Sequence, residues 1–526
     1  MLGFSASVLL VAIATAGGAG LAGSAAPVAA RGRALPASPV WGRAVESGTL
    51  AGDAFTAELQ TVDLNGDGLR DVVIERWIYD RLELDPLTIL LNRGGGRFVD
   101  VSQTIFDGPP PKMEDFGQLV VADFNGDGRP DIYVLDNGSA NPQLNPGHPG
   151  QQNHLILSTP DGKLRDATAN LPQHRTFTWS AAAADVNGDG TVDIYENNLS
   201  CCGDGTHPRL LLNDGTGHFT PSPSTPQGVP RDQFGQDDSQ ACAFVDVDGD
   251  GHPDLVLGAT DHTGPSAILK NDGAGNFTPF ETLPPQLYTT SGVVIDIRSA
   301  DINGDGSPDL LLEETQTDPF YVSTRVQVLM NDGHGNFTDE TSTRLQPPLP
   351  SDVSGSHGRI LVEDLNDDGL PDLAVSYKPP DGSSWISDPT PIWINHGGVL
   401  VREPGIDQGV PSDLRGPVGF VNGAGPHAFL SVEWHPSDGR SAPRYFIAPQ
   451  VTPPAAPAHL RAVRTGKHGV HLTWTAVAGA DRYEVWLNTR HVATTIETSF
   501  NARQPGRYRV RAVNAAGVGP FSVTSR

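Results

Sequence analysis

The sequence predicts an all-β chain, and three observations carry the prediction. An acidic nine-residue motif recurs six times at nearly even spacing. A short β-branched and aliphatic run, bounded by turn formers, follows each copy. After residue 30 no stretch of useful length shows the 3.6-residue apolar period of a helix. The 526 residues exceed one ordinary compact domain, but a repeat array also uses such a length, so the repeats decide the organisation.

Charge removes some classes of partner. The formal net charge of −27 argues against nucleic acid and anionic membranes, which need a basic face. Much of the acidity has an address: positions 1, 3, 5 and 9 of the six motifs hold 19 Asp. Six divalent cations there would bring the charge to about −15. A merely solvated acidic surface leaves the register of these acids unexplained.

In chain order, residues 1–30 come first. They contain no charged side chain, carry an apolar run from Val8 to Ala14, and end in small residues around Ala26 and Ala30. This reads as a secretory signal peptide and predicts a secreted, extracellular protein. Gly17, Gly18 and Gly20 dilute the run below the ~20 apolar residues of a membrane span, and no other segment is apolar enough. Three cysteines, Cys201, Cys202 and Cys242, are too few for a disulfide framework and form no CxxC zinc pair. In an oxidising compartment one bridge is expected, Cys242 to Cys201 or to Cys202, and the sequence leaves that choice open.

The motif reads DLNGDGLRD at Asp63, DFNGDGRPD at Asp123 and DVNGDGTVD at Asp185. DVDGDGHPD at Asp246, DINGDGSPD at Asp301 and DLNDDGLPD at Asp364 complete the set. Acids or amides at positions 1, 3 and 5 alternate with small or apolar residues, so their oxygens converge as the backbone curls. Glycine at position 6 permits the bend, and Asp at position 9 closes the cage. A flexible loop of hard oxygen ligands suits Ca2+ better than magnesium or zinc. The candidate metal ligands of the first three loops are Asp63, Asn65, Asp67, Asp71; Asp123, Asn125, Asp127, Asp131; and Asp185, Asn187, Asp189, Asp193. Those of the last three are Asp246, Asp248, Asp250, Asp254; Asp301, Asn303, Asp305, Asp309; and Asp364, Asn366, Asp368, Asp372. An EF-hand would need Glu at position 12 and a helix beyond it. Position 12 is apolar in five of the six copies, Ile74, Val134, Leu257, Leu312 and Val375, with Glu196 in the third, and all six lie within runs that read as strands.

The motif starts lie 60, 62, 61, 55 and 63 residues apart, a period that fits one four-stranded propeller blade. Each unit continues with a hairpin signature such as LLLNDGTGHF (210–219), LKNDGAGNF (269–277) or LMNDGHGNF (329–337). A degenerate seventh copy, FVNGAGPHA from Phe420 to Ala428, lacks the acids and should bind no metal. The segment VWGRAVES (40–47) supplies its missing outer strand, so that closing the ring removes a sheet edge. The expected fold is a seven-bladed β-propeller over residues 38–451.

Six motifs in phase with these hairpins resemble the FG-GAP/VCBS repeat family, whose fold is the seven-bladed propeller of integrin α-subunit heads. The resemblance covers roughly residues 40 to 450, and it implies that Asp63, Asn65, Asp67, Asp71 and their equivalents bind calcium. Two departures stand out: Asp248 where the other copies have Asn, and Asp367 where they have Gly.

Beyond a Pro-rich linker at 452–457, residues 458–526 alternate apolar and polar residues in VHLTWTAV, DRYEVWL and GRYRVRAV. They resemble a fibronectin type III domain with Trp474, Tyr483 and Tyr508 packed in its core. The functional expectation is a binding or adhesion module with structural calcium and no assigned catalytic residue. A protein or carbohydrate ligand is expected on the face opposite the calcium loops. His174, Arg175, Trp179, Cys201, Cys202, Tyr288, His357 and Trp385 are placed there. The alternative is a carbohydrate-active enzyme, since some polysaccharide lyases resemble such propellers. Its base and uronate clamp would be His174 with Arg175, or His357 with Arg359.

Overall fold

The structure is a computed structural model. It describes residues 40–41, 45–50, 55–77, 85–114, 117–138, 150–199, 207–232, 237–260, 263–318, 322–347, 356–378, 391–403, 418–422, 427–432, 444–451, 454–466, 469–488, 490–514 and 517–523. The signal-peptide reading, Cys201, Cys202, Trp385 and part of the linker lie outside these residues, as does the side chain of His357.

The chain is all-β and propeller-like: the only helices among the described residues are one turn at Thr341–Arg344 and a 3-10 turn at Thr168–Asn170. No helix there is long and apolar enough to cross a membrane. Each acidic loop joins the first two strands of an antiparallel sheet. In the first sheet Phe55–Val62 pairs with Asp71–Trp77, then come Thr88–Asn92 and Phe98–Asp100. The next four sheets repeat that order and begin at Leu119–Ala122, Thr178–Ala184, Ser239–Val245 and Gly292–Ala300. The sixth, beginning at Ser356–Glu363, gains a fifth strand, Leu345–Gln346, parallel to Leu400–Glu403. The seventh holds Val418–Val421, Ala428–Val432 and Arg444–Val451, and both Val40–Trp41 and Val45–Thr49 pair with its last strand. N-terminal strands thus complete a sheet begun nearly four hundred residues later.

The middle strands of these sheets are buried on both faces, whereas an outer strand such as Phe277–Thr282 is exposed past its first residue. The second strands Asp131–Val134 and Asp254–Ala259 are buried at every position, which explains the unbroken runs IYV and LVLGA where alternation would mark a half-exposed sheet. Apolar clusters lie between successive sheets. Leu64, Val73 and Ile89 of the first meet Leu119 and Ile132 of the second, and so on to the sixth and seventh. The cluster of Leu59, Val72, Ile74, Val421, Leu430 and Val432 then joins the seventh sheet to the first. Each fully buried Leu, Ile or Val contributes about 1.5–3 kcal/mol, so these clusters dominate cohesion.

The first strands of all seven sheets line a cavity of about 1410 Å³. Small side chains, Ala122, Ala182, Ala183 and Ala243, leave it open. Buried polar contacts cross between its walls: Arg359 of the sixth sheet pairs with Glu58 of the first, and the Gln118 amide bonds both backbone groups of Ala181. Burial pushes Glu58 up to about 7 against the opposing pull of Arg359.

Farther along, a three-stranded sheet (Arg461–Thr465, Gly469–Thr473, Ser499–Ala502) and a four-stranded sheet (Arg482–Leu487, Arg490–Thr495, Tyr508–Asn514, Gly517–Val518) share one core. Trp474, Tyr483 and Tyr508 all sit in it, Trp474 edge-on to Tyr483 at 5.4 Å. The Tyr508 hydroxyl donates to the Gln504 carbonyl at 2.5 Å, giving its polar end a partner.

Candidate metal-binding loops

The first Asp of each motif organises its loop. Asp63 Oδ1 accepts the Gly66 and Asp67 amides at 2.7 and 3.1 Å, and its Oδ2 accepts the Gly68 amide at 2.8 Å. Asn65 Oδ1 then accepts the Asp67 amide (2.9 Å) and Asp67 Oδ1 the Leu69 amide (2.9 Å). These bonds wind five residues around one carboxylate, and the winding requires a left-handed residue at position 6, where Gly68 has φ +82°. The loops starting at Asp123, Asp185, Asp246 and Asp301 repeat the three bonds to the first carboxylate. In the sixth loop Asp364 accepts the Asp368 and Gly369 amides, and Asp367 takes the left-handed conformation of the missing glycine, φ 58°. Aspartate tolerates that region better than most side chains, so the sixth loop keeps two of the three bonds to its first carboxylate.

The ninth Asp is buried and doubly held. Asp309 accepts the Ile302 amide on Oδ2 and the Asn331 amide on Oδ1, both at 2.9 Å, so it ties the loop to the third strand. Asp71, Asp131, Asp193, Asp254 and Asp372 make the same pair of bonds. Burial raises these carboxyls to about 6, or about 7 for Asp131 and Asp372; the amide bonds oppose the rise and neighbouring loop aspartates add to it.

Among the described residues, the carboxylate oxygens of the fourth loop fit one hard cation. Oxygens bound at about 2.4 Å to a common ion lie at most about 4.8 Å apart. In the fourth loop one carboxylate oxygen each from Asp246, Asp248 and Asp254 falls within 4.8 Å of the others. The seventh copy does different work. Asn422 Oδ1 accepts the Arg70 amide at 2.7 Å and its Nδ2 donates to the Gly68 carbonyl at 2.8 Å, so it grips the first loop.

An asparagine ending the third strand is a structural residue that sequence reasoning passed over as a turn former. Asn213, Asn271, Asn331 and Asn395 each donate from Nδ2 to a carbonyl of the preceding sheet's loop, Phe124, Val186, Val247 and Ile302, at 2.8 Å in every case. Asn92 donates likewise to the Asn422 carbonyl at 2.9 Å, joining first sheet to seventh. The signal was present: the same residue stands before the hairpin turn in five of six copies.

The residues expected on the opposite face divide. Trp179 is buried, stacked on Phe177 at 5.7 Å against Val293 and Ile295, and Tyr288 is buried with its hydroxyl 2.5 Å from Ser323 Oγ. Both belong to the packing and neither is free to meet a ligand. His174 and Arg175 do not lie on a strand: Arg175 is exposed, while His174 Nε2 sits 3.5 Å from buried Glu196. Glu196 also accepts from the Tyr133 hydroxyl (2.5 Å) and Asn153 (2.7 Å) and lies 3.5 Å from Arg209. Burial would raise the Glu196 carboxyl, but His174 and Arg209 hold it below its usual value. Arg359 is buried on Glu58, which occupies it away from solvent. Cys242 is a free thiol buried in the middle of Ser239–Val245, against the expected bridge. The Ser180 hydroxyl donates to its sulfur at 3.4 Å, and burial pushes its pKa up to about 12.

Stacked antiparallel sheets with acidic loops at their first turns are a repeat architecture, and comparison specifies the repeat. The profile of the FG-GAP-like repeat matches residues 63–134, 199–257 and 246–312, so the chain carries FG-GAP-like repeats. It is 28% identical over 211 residues to the T-cell immunomodulatory protein of Rattus norvegicus, covering 37% of this chain and 31% of that protein. It is 32% identical over 154 residues to integrin alpha-7 of Homo sapiens, covering 28% of this chain and 12% of that protein. The chain therefore spans under a third of the length of these curated relatives. Among solved structures, the six-bladed β-propeller lectin of Aleuria aurantia aligns with a TM-score of 0.38 at 11% identity, over 70% of this chain and 99% of that one.

Proposed function

We propose that this is a secreted binding or adhesion module: a seven-bladed propeller held by structural calcium, followed by a fibronectin type III domain. In this reading it meets a protein or glycan partner on the face opposite the acidic loops. The observation that carries it is the repeated loop, in which backbone amides pre-set one carboxylate and a buried ninth Asp ties the loop to the third strand. The oxygen spacing in the fourth loop, within reach of a single ion, supports Ca2+ as the occupant. The cycle of apolar clusters from first sheet to seventh and back supports seven blades. A common core between two sheets, with the Tyr508 hydroxyl on Gln504, supports the type III reading of the C-terminal module. FG-GAP-like repeats and partial kinship to integrin alpha-7 support binding over catalysis.

Two measurements test the reading. Elemental analysis after gel filtration in micromolar calcium should find several calcium ions per chain, and none would refute the calcium part. Protein and glycan arrays probed with the loaded protein should show saturable binding that survives substitution of exposed loop residues. Release of unsaturated uronates from acidic polysaccharides would instead make the chain a lyase.

A further inference from the structure

The fourth loop is unlike the other five in two places. Position 3 is Asp248 where the others have Asn, and the residue before the strand-ending position is Lys270 where they have Leu91, Leu157, Leu212, Met330 and Ile394. The structure brings the two together. Lys270, on the strand Ala267–Asn271, places Nζ against Asp248 Oδ2 and 3.0 Å from Asp250 Oδ2, with the Phe280 ring centroid 5.5 Å away. In the third and fifth loops that space is bridged by the position-3 amide: Asn187 Nδ2 donates to Asp189 Oδ2 at 2.9 Å and Asn303 Nδ2 to Asp305 Oδ2 at 2.8 Å. Asp248 has no such donor, and the lysine supplies it.

Charge matches as well. Positions 1, 3, 5 and 9 carry three carboxylates in five loops and four in this one, and the Lys270 ammonium returns it to the net value of the rest. We infer that the fourth loop carries its own cation, Lys270, which an incoming divalent ion must displace, so this loop is the weakest calcium site of the six and keeps its shape without the metal. The inference rests on the calcium reading above. The ammonium contacts two of the four ligand positions, and a divalent ion coordinated by Asp248 and Asp250 would compete for the same oxygens.

The test is a calcium titration of the full chain followed by native mass spectrometry, beside Lys270→Met and Asp248→Asn/Lys270→Met. The double variant reproduces the fifth loop's pairing of Asn303 with Met330. The native chain should load five ions and take the sixth only at calcium about tenfold higher or more, whereas both variants should load six together. Hydrogen exchange after chelation gives a second readout. The Gly249, Asp250 and Gly251 amides should stay protected in the native chain while Gly304, Asp305 and Gly306 exchange, and Lys270→Met should erase that difference. Six equivalent ions in the native chain, with an unchanged titration in Lys270→Met, would overturn the inference while leaving calcium binding intact. No bound ion in any of the three proteins would overturn both.

Discussion

Truncating Asn331 to Ala probes the link between neighbouring sheets. Its Nδ2 donates to the Val247 carbonyl of the fourth sheet at 2.8 Å and to the Pro308 carbonyl of its own sheet at 3.0 Å. Its Oδ1 accepts the Gly333 and Gly335 amides at 3.0 and 3.2 Å. The residue is 4% exposed, so water cannot replace these partners without opening the inter-sheet core. Four hydrogen bonds at about 1 kcal/mol net each give a loss of about 4 kcal/mol. Asn336→Ala is the internal control. That side chain also hydrogen-bonds, to Asp332 Oδ2 at 2.8 Å, but in the exposed tip of the same hairpin, and its loss should cost under about 1 kcal/mol. Urea unfolding in saturating calcium, followed by tryptophan fluorescence and circular dichroism, measures both. Asn331→Ala should move the midpoint clearly and Asn336→Ala barely. Equal shifts would show that the asparagine merely shapes its turn and that its bond to the neighbouring sheet adds no stability.

Other outcomes follow from the same geometry. Chelation should lower the melting temperature by many degrees, because each site loaded at 100 times its Kd adds about 2.7 kcal/mol to the folded state; unchanged melting would leave the loops without a structural ion. Glu314, buried and accepting the Leu287 and Tyr288 amides at 3.1 Å each, is raised by burial to about 7. The folded state therefore binds this proton more tightly than the unfolded one, so stability rises as pH falls from about 7 toward the unfolded value near 4.5. Glu314→Gln should remove up to roughly 3 kcal/mol of that rise, and a melting-versus-pH profile identical to the native one would contradict it. Cys242, with its pKa near 12, should resist thiol reagents at pH 8 in a Cys201→Ser/Cys202→Ser background until the chain unfolds. Rapid native labelling would place it nearer solvent than the structure does.

Local rules made much of this molecule readable. Asp, Gly and Asn at set offsets specify a loop whose bonds run between residues two to five apart, as from Asp63 to Gly68, and such contacts need nothing beyond the segment itself. The apolar runs after each motif marked strands for the same reason. The ninth Asp was read as a ligand, and its second attachment, to an amide some twenty residues on, was invisible at that range. Trp179 and Tyr288 sat between turn signals and looked like surface, because the sheets that cover them are distant in sequence. Cys242 looked like half of a bridge until its strand was seen buried on both faces.

The sequence by itself determined six acidic loops, the strands they join, and the absence of acids from a seventh copy. Only the tertiary structure decided that the strand-ending asparagines reach the preceding sheet's loop and that Lys270 reaches the fourth loop, whereas the outer strand at 40–47 was already legible in the sequence and does pair with Arg444–Val451. Hydrogen bonds within a turn are chosen by its own few residues, whereas contacts between sheets are chosen by burial, which depends on where the whole chain returns.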